Sequence, residues 1–403
     1  MVEQWRFPGC LGLVLIGLLP LGVAAETWRV GPDEALRSVA EAAALARDGD
    51  SVEIVAATYV DDVAVWPQQR LTIRGVGGRP RLVAAGRVAE GKGIWVMRGD
   101  EVVVENIAFE GARGPNRNGS GIRHEEGALT VRNCVFRDNE MGILSANKLS
   151  LSLVVEDSEF SHGVLVTPRI SHLLYAGRMS RLEVRGSYFH HGRVGHLLKS
   201  RARVNLIEYN RLTDEAEGQA SYEMDFPDGG QVFLIGNLVR QSVGTENRRM
   251  ISFGAEGLQH DDNVLVLASN TLVDDVPDGG EFVAVWSPER VKVVAVNNLL
   301  VGGCVGSVCP DAVFRRSLPD NTGETAAVEG EGNLQVVGVN TRAELEKRGF
   351  RPVAGKPLRV RPAGPEWFRG WALVPSREYT PPVGTRTLPG TGGRITVPGA
   401  FQP

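Results

Sequence analysis

Short runs of alternating apolar and polar residues recur along this chain, each closed by turn-forming residues. The segments Glu105-Asn-Ile-Ala-Phe109, Arg132-Asn-Cys-Val-Phe136, Glu156-Asp-Ser-Glu-Phe160 and Arg185-Gly-Ser-Tyr-Phe189 share one pattern. It continues in Glu208-Tyr-Asn-Arg-Leu212, Ile235-Gly-Asn-Leu-Val239, Ala268-Ser-Asn-Thr-Leu272 and Val296-Asn-Asn-Leu-Leu300. Their last residues are spaced by 27, 24, 29, 23, 27, 33 and 28. Such a period, with period-2 strands and no helical pattern between them, predicts a β-solenoid whose coils bury their apolar faces only by stacking. The expected fold class is all-β: a single-stranded right-handed parallel β-helix. The third position of the pattern reads Ile107, Cys134, Ser158, Ser187, Asn210, Asn237, Asn270 and Asn298. Asn at one place in successive coils predicts a stacked amide ladder at a turn, a structural device.

The two ends differ from the coils. Residues 32–47 carry Ala, Leu and Val at helical spacing, with Asp33 placed to cap the start. A helix there is expected to cover the open end of the core, before strands at 51–55, 71–74 and 93–96 begin the coils. From about residue 350 the chain is rich in Pro and Gly and holds Trp367, Trp371 and Tyr379. It reads as an irregular wrap capping the last coil, which divides the chain into a β-helix over 26–340 and a tail over 341–403.

After Arg6, the apolar run 10–23 ends in Ala24 and Ala25. It is too short to span a bilayer and has the form of a secretory signal cut after Ala25. The expected location is therefore periplasmic or secreted, as a monomer with no membrane insertion after signal removal. The net charge of −4 argues against a general nucleic-acid binder. From residue 341 onward eleven Lys or Arg stand against four Asp or Glu, so a basic tail is expected to lie back on an acidic body. Cys134 reads as a buried thiol, and Cys304 and Cys309 as a local disulfide in an exported protein.

The helix, the Gly-Asp-Ser-Val-Glu-Ile strand that follows it, and the Asn-punctuated coils together resemble the pectate-lyase-like superfamily of right-handed β-helix proteins over roughly residues 28–340. That resemblance implies the fold and leaves the reaction open, because the scaffold hosts many chemistries.

Residues 172–256 depart from bland solenoid composition. They hold His172, Tyr175, His190, His191, His196, Lys199, Arg201, Arg203, Glu223, Asp225 and Glu256, and five of the seven histidines fall between 162 and 196. Aligning His172-Leu-Leu-Tyr175 with His196-Leu-Leu-Lys199, Tyr222-Glu-Met-Asp225 and Ile251-Ser-Phe-Gly254 sets Leu174, Leu198, Met224 and Phe253 inward. Tyr175, Lys199 and Asp225 then form an outward column with Glu223 beside Asp225, while His172 and His196 fall on the inward one.

Lys199-Ser200, Asn205 to Asn210, Gly218 and Val232 to Asn237 are similar to the catalytic coils of the chondroitinase B and alginate lyase family. The resemblance implies an acidic, uronate-containing polysaccharide as substrate, cleaved by β-elimination. Lys199 matches the family's base, and in that family acidic residues with Asn hold a calcium ion that neutralises the substrate carboxylate. The family's Arg in the next coil has no counterpart, since that coil reads Ser221-Tyr-Glu-Met-Asp225. The acid role falls to Tyr175, His196 or Arg201, with His172, His190, His191 and Arg203 as substrate-binding residues. Glu223 and Asp225 are the candidate calcium ligands. Arg201 and Arg203 would lower the Lys199 pKa by like charge, whereas the carboxylates would raise it.

Other readings of the same residues stay open. A glycoside hydrolase would use Glu223 with Asp225, or Asp261 and Asp262. An epimerase would need the same acid and base as a lyase. A non-catalytic glycan-binding solenoid predicts an outer row of aromatic residues, which is thin apart from Tyr175 and Tyr222.

Overall fold

The computed structural model describes residues 1, 24–165, 170–303, 313–314, 316–319, 325–328, 330–352, 364–388 and 397–402. The expected signal run 10–23 and both Cys304 and Cys309 lie outside the described residues. Among those described, no helix is long and apolar enough to cross a membrane.

Each coil gives one strand to each of three sheets, and each strand pairs in parallel with its counterparts in the coils before and after. One coil runs Glu101–Glu105 in sheet 1, Ala108–Glu110 in sheet 2 and Ser120–His124 in sheet 3, before Ala128–Arg132 re-enters sheet 1. Sheet 1 extends from Thr27–Val30 to Lys292–Val296 and sheet 3 from Ala64–Trp66 to Glu281–Val285. Sheet 2 begins at Thr58–Val60 and ends in an antiparallel addition, Thr325–Val328 and Arg316–Pro319. The fold is the expected right-handed parallel β-helix.

Phe109, Phe136, Phe160 and Phe189 occupy one register of sheet 2 and stack with centroids 5.1, 4.6 and 4.6 Å apart, within 9° of parallel. Such pairs add about 0.5–1.5 kcal/mol each beyond the area they bury. The facing strands of sheet 3 make room for them with glycine. A Cβ on Gly121 would lie 2.7 Å from Phe136, and one on Gly142 would lie 2.8 Å from Phe160.

The turn from sheet 1 to sheet 2 carries the ladder. Asn210, Asn237 and Asn270 each accept from the backbone N–H of the preceding coil's column residue, at 2.9–3.0 Å. Each donates to a sheet 1 carbonyl, Val184, Ile207 and Leu234 respectively, and to the Oδ1 of the next Asn. Ser158 and Ser187 begin the same chain with their hydroxyls, and Asn333 extends it one coil beyond Asn298. The residue before the column takes left-handed backbone, as in Asn133, Tyr209 and Asn297. At Gly236 it must also lack a side chain, since a Cβ would fall 2.7 Å from the Tyr209 ring. Cys134, in this column, is buried and free, its thiol pushed up to about 12 by burial.

The cap helix is shorter than its apolar pattern predicts: α1 spans Val39–Leu45. Its N-cap is Ser38, whose hydroxyl accepts from Glu41 N while Glu41 accepts from Ser38 N, not Asp33. Residues 32–37 are drawn instead into a turn that bridges Leu36 back to Val30. Val39, Ala42 and Ala43 close the core, and Gln68 donates to the Ala43 and Ala46 carbonyls at the helix end.

The tail does not simply cap the last coil. Phe368, Trp371 and Leu373 pack on Leu206, Phe233, Val264 and Val266, the outer face of sheet 1. Helix α2, Val339–Lys347, with Phe350, Tyr379 and Phe401, covers the outer face of sheet 2 through Leu238, Val273 and Leu299. Tail arginines reach acidic groups of the body, Arg342 to Asp275 and Arg369 to Asp262, as the charge asymmetry predicts. The outer face of sheet 3 carries a polar cluster centred on Lys199.

Candidate functional site

Sheet 3 does not alternate strictly. In His172–Ala176 the side chains of Leu173 and Leu174 both enter the core, as do Leu197 and Leu198, Met250 and Ile251, and Phe282 and Val283. Each strand therefore reads out-in-in-out. The outward residues are His172 and Tyr175, then His196 and Lys199, then Tyr222 and Asp225, then Arg249 and Ser252. The register pairs Tyr175 with Lys199, Lys199 with Asp225 and Asp225 with Ser252, so the expected outward column holds.

Three expectations fail on this geometry. The fourth segment is displaced by two residues: Met224 pairs with Ile251, and Phe253 with Phe226. His172 and His196 face outward, stacked at 4.6 Å, with His172 edge-on to the Tyr175 ring at 5.3 Å and His196 4.8 Å from Tyr222. Glu223 turns inward instead, fully buried in the column of Leu197 and Met250, with no hydrogen-bond partner for either carboxylate oxygen. Its charged neighbours are Asp214 and Asp274, whereas those of Asp225 are Lys199 and Glu256. Glu223 and Asp225 thus do not form a shared carboxylate pair, either as calcium ligands or as glycosidase acid and base.

Lys199 is the centre of the outward cluster. Its Nζ donates to Asp225 Oδ2 at 3.0 Å and to Glu256 Oε1 at 2.8 Å. Arg201 donates through Nε to Tyr175 Oη at 2.8 Å and through its terminal nitrogens to Asp228 and Glu256. Asp228, almost wholly buried, also holds Arg178 at 2.7 Å. His196 Nε2 lies 3.5 Å from Asp225 Oδ2. One carboxylate, that of half-exposed Glu256, bridges the ammonium of Lys199 and the guanidinium of Arg201.

Burial alone would lower the Lys199 ammonium, but Asp225 and Glu256 outweigh it and hold it above its usual value. The lowering expected from neighbouring arginines does not occur, because Arg201 is itself engaged by carboxylates and Arg203 is exposed at the turn into sheet 1. Burial depresses both imidazoles, His172 to about 3 with Lys199 and Arg201 adding to it, and His196 well below its usual value with His172 and Lys199 adding. Both rings are neutral. Burial raises Asp225 despite Lys199.

Ser200, Asn205, Asn210, Gly218 and Asn237, which carry much of the lyase-family resemblance, have structural positions. Ser200 donates to Asn205 Oδ1 and Asn205 to Ala202 O, bracing the turn after Lys199. Gly218 fits a turn where a Cβ would strike Asp214 O. His190 and His191 sit at the end of a sheet 2 strand, with contacts separate from the Lys199 cluster. Asp261 and Asp262 lie exposed in a turn, Asp262 held by Gln231 and Arg369. Asp228 and Arg178 were not legible as site residues: Phe226-Pro-Asp-Gly-Gly230 reads as a plain turn. Glu256 stood in the conspicuous stretch without an assigned role.

No family model matches this sequence, and no curated protein matches it. Among solved structures, the chain is similar to pectate lyase Pel9A, with a TM-score of 0.51, 12% identity, and 72% of this chain and 80% of that one covered. It is also similar to ORF18 of Geobacillus virus E2, with a TM-score of 0.45, 12% identity, and 70% and 57% covered. A PL6-family alginate lyase, AlyGC, gives a TM-score of 0.34 at 15% identity, with 72% and 54% covered. Coil stacking and register, together with the likeness to Pel9A, show that the chain has the right-handed parallel β-helix fold.

Proposed function

We propose that this chain is an exported carbohydrate-active enzyme that binds an acidic, uronate-containing polysaccharide on the outer face of sheet 3 and cleaves it by β-elimination. The observation that carries the reading is the Glu256 carboxylate held between Lys199 and Arg201. A uronate carboxylate has the same two-oxygen shape and can replace the half-exposed Glu256. The two cations stay fixed from beneath by Asp225 and Asp228. Neutralising that carboxylate acidifies the adjacent C–H, the first requirement of elimination.

Lys199 acts in this reading as the carboxylate-binding cation rather than as the base, because its ion pairs hold its proton. Tyr175, only partly buried, lies beside the cations, with its Oη fixed by Arg201. In this reading it reacts as the phenolate beside Arg201, taking the C–H proton as the glycosidic C–O bond breaks and returning that proton to the leaving oxygen. The neutral His172 ring meets the Tyr175 ring edge-on and stacks on His196, so the site carries no charge on that side. The likeness to a pectate lyase supports the scaffold only.

The test mixes the mature protein with alginate, pectate, glucuronan and glycosaminoglycans and follows the ultraviolet absorbance of an unsaturated uronate. A rise with one polymer that is lost in Lys199→Ala supports the reading. No rise with any polymer, together with polymer binding unchanged in Lys199→Ala, sinks it. Binding that weakens in Lys199→Ala without any cleavage would favour the glycan-binding alternative.

A further inference from the structure

A second cluster of chemistry lies outside this site, at the outer end of sheet 2. His190 is the last residue of the strand Tyr188–His190, and it pairs in register with Ser161, the last residue of Glu159–Ser161. The next residue in each coil, His162 and His191, takes left-handed backbone with φ of 56° and 54°. The turn therefore repeats from one coil to the next and sets the two imidazoles face to face, 4.8 Å apart and within 5° of parallel. His190 meets both rings edge-on. One ligand nitrogen from each of the three residues lies within 4.8 Å of the other two.

The hydrogen-bonding state of these rings is incomplete in a specific way. His190 Nδ1 and His191 Nδ1 face one another in direct contact, an arrangement in which two lone pairs compete for at most one proton. His162 Nδ1 is buried with no partner. The other nitrogen of His190, Nε2, lies 3.3 Å from Glu159 Oε1. A ring that turns one nitrogen to a shared centre and the other to a carboxylate has the orientation that metal-bound histidines take. The Tyr188 ring stacks on His190 at 4.1 Å and holds it in that orientation.

We propose that His162, His190 and His191 form a binding site for a divalent transition-metal ion of the kind that prefers imidazole, with Glu159 orienting His190 and a fourth position open to solvent. Three imidazoles suit Zn2+, Cu2+ and Ni2+ rather than Ca2+ or Mg2+, which take oxygen ligands. Tetrahedral bonds of about 2.0–2.1 Å to nitrogen put ligand atoms roughly 3.3 Å apart, so nitrogens already within 4.8 Å of one another need to close by at most about 1.5 Å. Glu159, Glu215 and Glu217 supply negative charge around it, opposed by Arg137. None of these residues contacts the Lys199 cluster among the described residues, so failure of either proposal leaves the other standing.

The test titrates the mature full-length protein, stripped with chelator, with Zn2+ against a chromophoric competitor. The result expected is one tight equivalent, weakened at least 100-fold in His162→Ala and in His191→Ala, and about 10–100-fold in Glu159→Gln. X-ray absorption of the zinc-loaded protein should show nitrogen neighbours with imidazole scattering. His162 and His191 are partly exposed, and unchanged circular dichroism in their variants verifies folding; a His190→Gln variant provides the same readout should either fail to fold. No tight equivalent, or one unchanged in all three histidine variants, overturns the proposal.

Discussion

Glu256 Oε1 accepts a hydrogen bond from Lys199 Nζ at 2.8 Å, from a turn 57 residues further along the chain. The same carboxylate takes Arg201 with its other oxygen. It neutralises the two cations that the account assigns to a substrate carboxylate, and so competes with substrate. Glu256→Gln should therefore lower KM several-fold for the cleaved polymer and leave kcat within about threefold, since binding that is equal in ground and transition states moves KM alone. A large fall in kcat would instead place Glu256 in the proton transfers. Steady-state kinetics on the wild type and the variant decide this.

Tyr175→Phe removes only the hydroxyl that Arg201 holds at 2.8 Å. Loss of general acid–base catalysis predicts a fall in kcat of about 100-fold or more, with polymer binding nearly unchanged. Parallel weakening of binding and rate would mean that Tyr175 is a sugar-stacking residue. Kinetics paired with a binding isotherm separate the two.

Glu223 is a carboxyl in a core column, fully buried and unpartnered. Burial raises it well above the usual range, with Asp214 adding to it, and burial raises Asp214 to about 7. A raised carboxyl binds its proton more tightly folded than unfolded. Its contribution is full below the unfolded value of about 4 and is lost as pH rises through the folded value. Melting temperature should therefore fall as pH climbs from about 4 through 7 and beyond. Glu223→Met matches its column neighbours and should stabilise the protein at pH 8 by about 2 kcal/mol while flattening that slope. Destabilisation by Glu223→Met in thermal melts would show that the carboxyl has a partner or a function.

Asn237 accepts from Asn210 N and Nδ2 and donates to Ile207 O and Asn270 Oδ1. Asn237→Ala leaves buried groups unmet on both neighbouring coils and should cost about 2–4 kcal/mol in denaturant unfolding. The same change at exposed Asn116 should cost under about 1 kcal/mol. Equal effects would contradict the ladder as a stabilising device.

The coils were legible because one side chain in each, Phe109 to Leu300, must land on the same core position, and that constraint prints a period into the sequence. The ladder was legible for the same reason. The inward face of Glu223 was hidden because strict alternation pairs it with Asp225, whereas sheet 3 sends two consecutive side chains inward. Read with that spacing, His-Leu-Leu-Tyr, His-Leu-Leu-Lys, Tyr-Glu-Met-Asp and Arg-Met-Ile-Ser align without the two-residue slip. The tail's path had a signal too. Sheet 1 strands before residue 200 carry charged outer residues such as Arg132, Glu156 and Arg185, which pair along the stack. Gln231–Ile235 and Val264–Ala268 are apolar on both faces, the mark of a strand covered on both sides. Asp228 and Glu256 lie in turns whose approach to Lys199 and Arg201 depends on coil stacking, which local pattern does not encode.

The most direct test of the central claim compares each uronate polymer with its carboxyl-reduced, neutral counterpart, following both unsaturated-uronate absorbance and binding. One charged polymer should be bound and cleaved and its neutral form neither, and both should be lost in the Lys199→Ala, Arg201→Ala double variant. Equal binding of the charged and neutral polymers, or cleavage that survives loss of both cations, would contradict it.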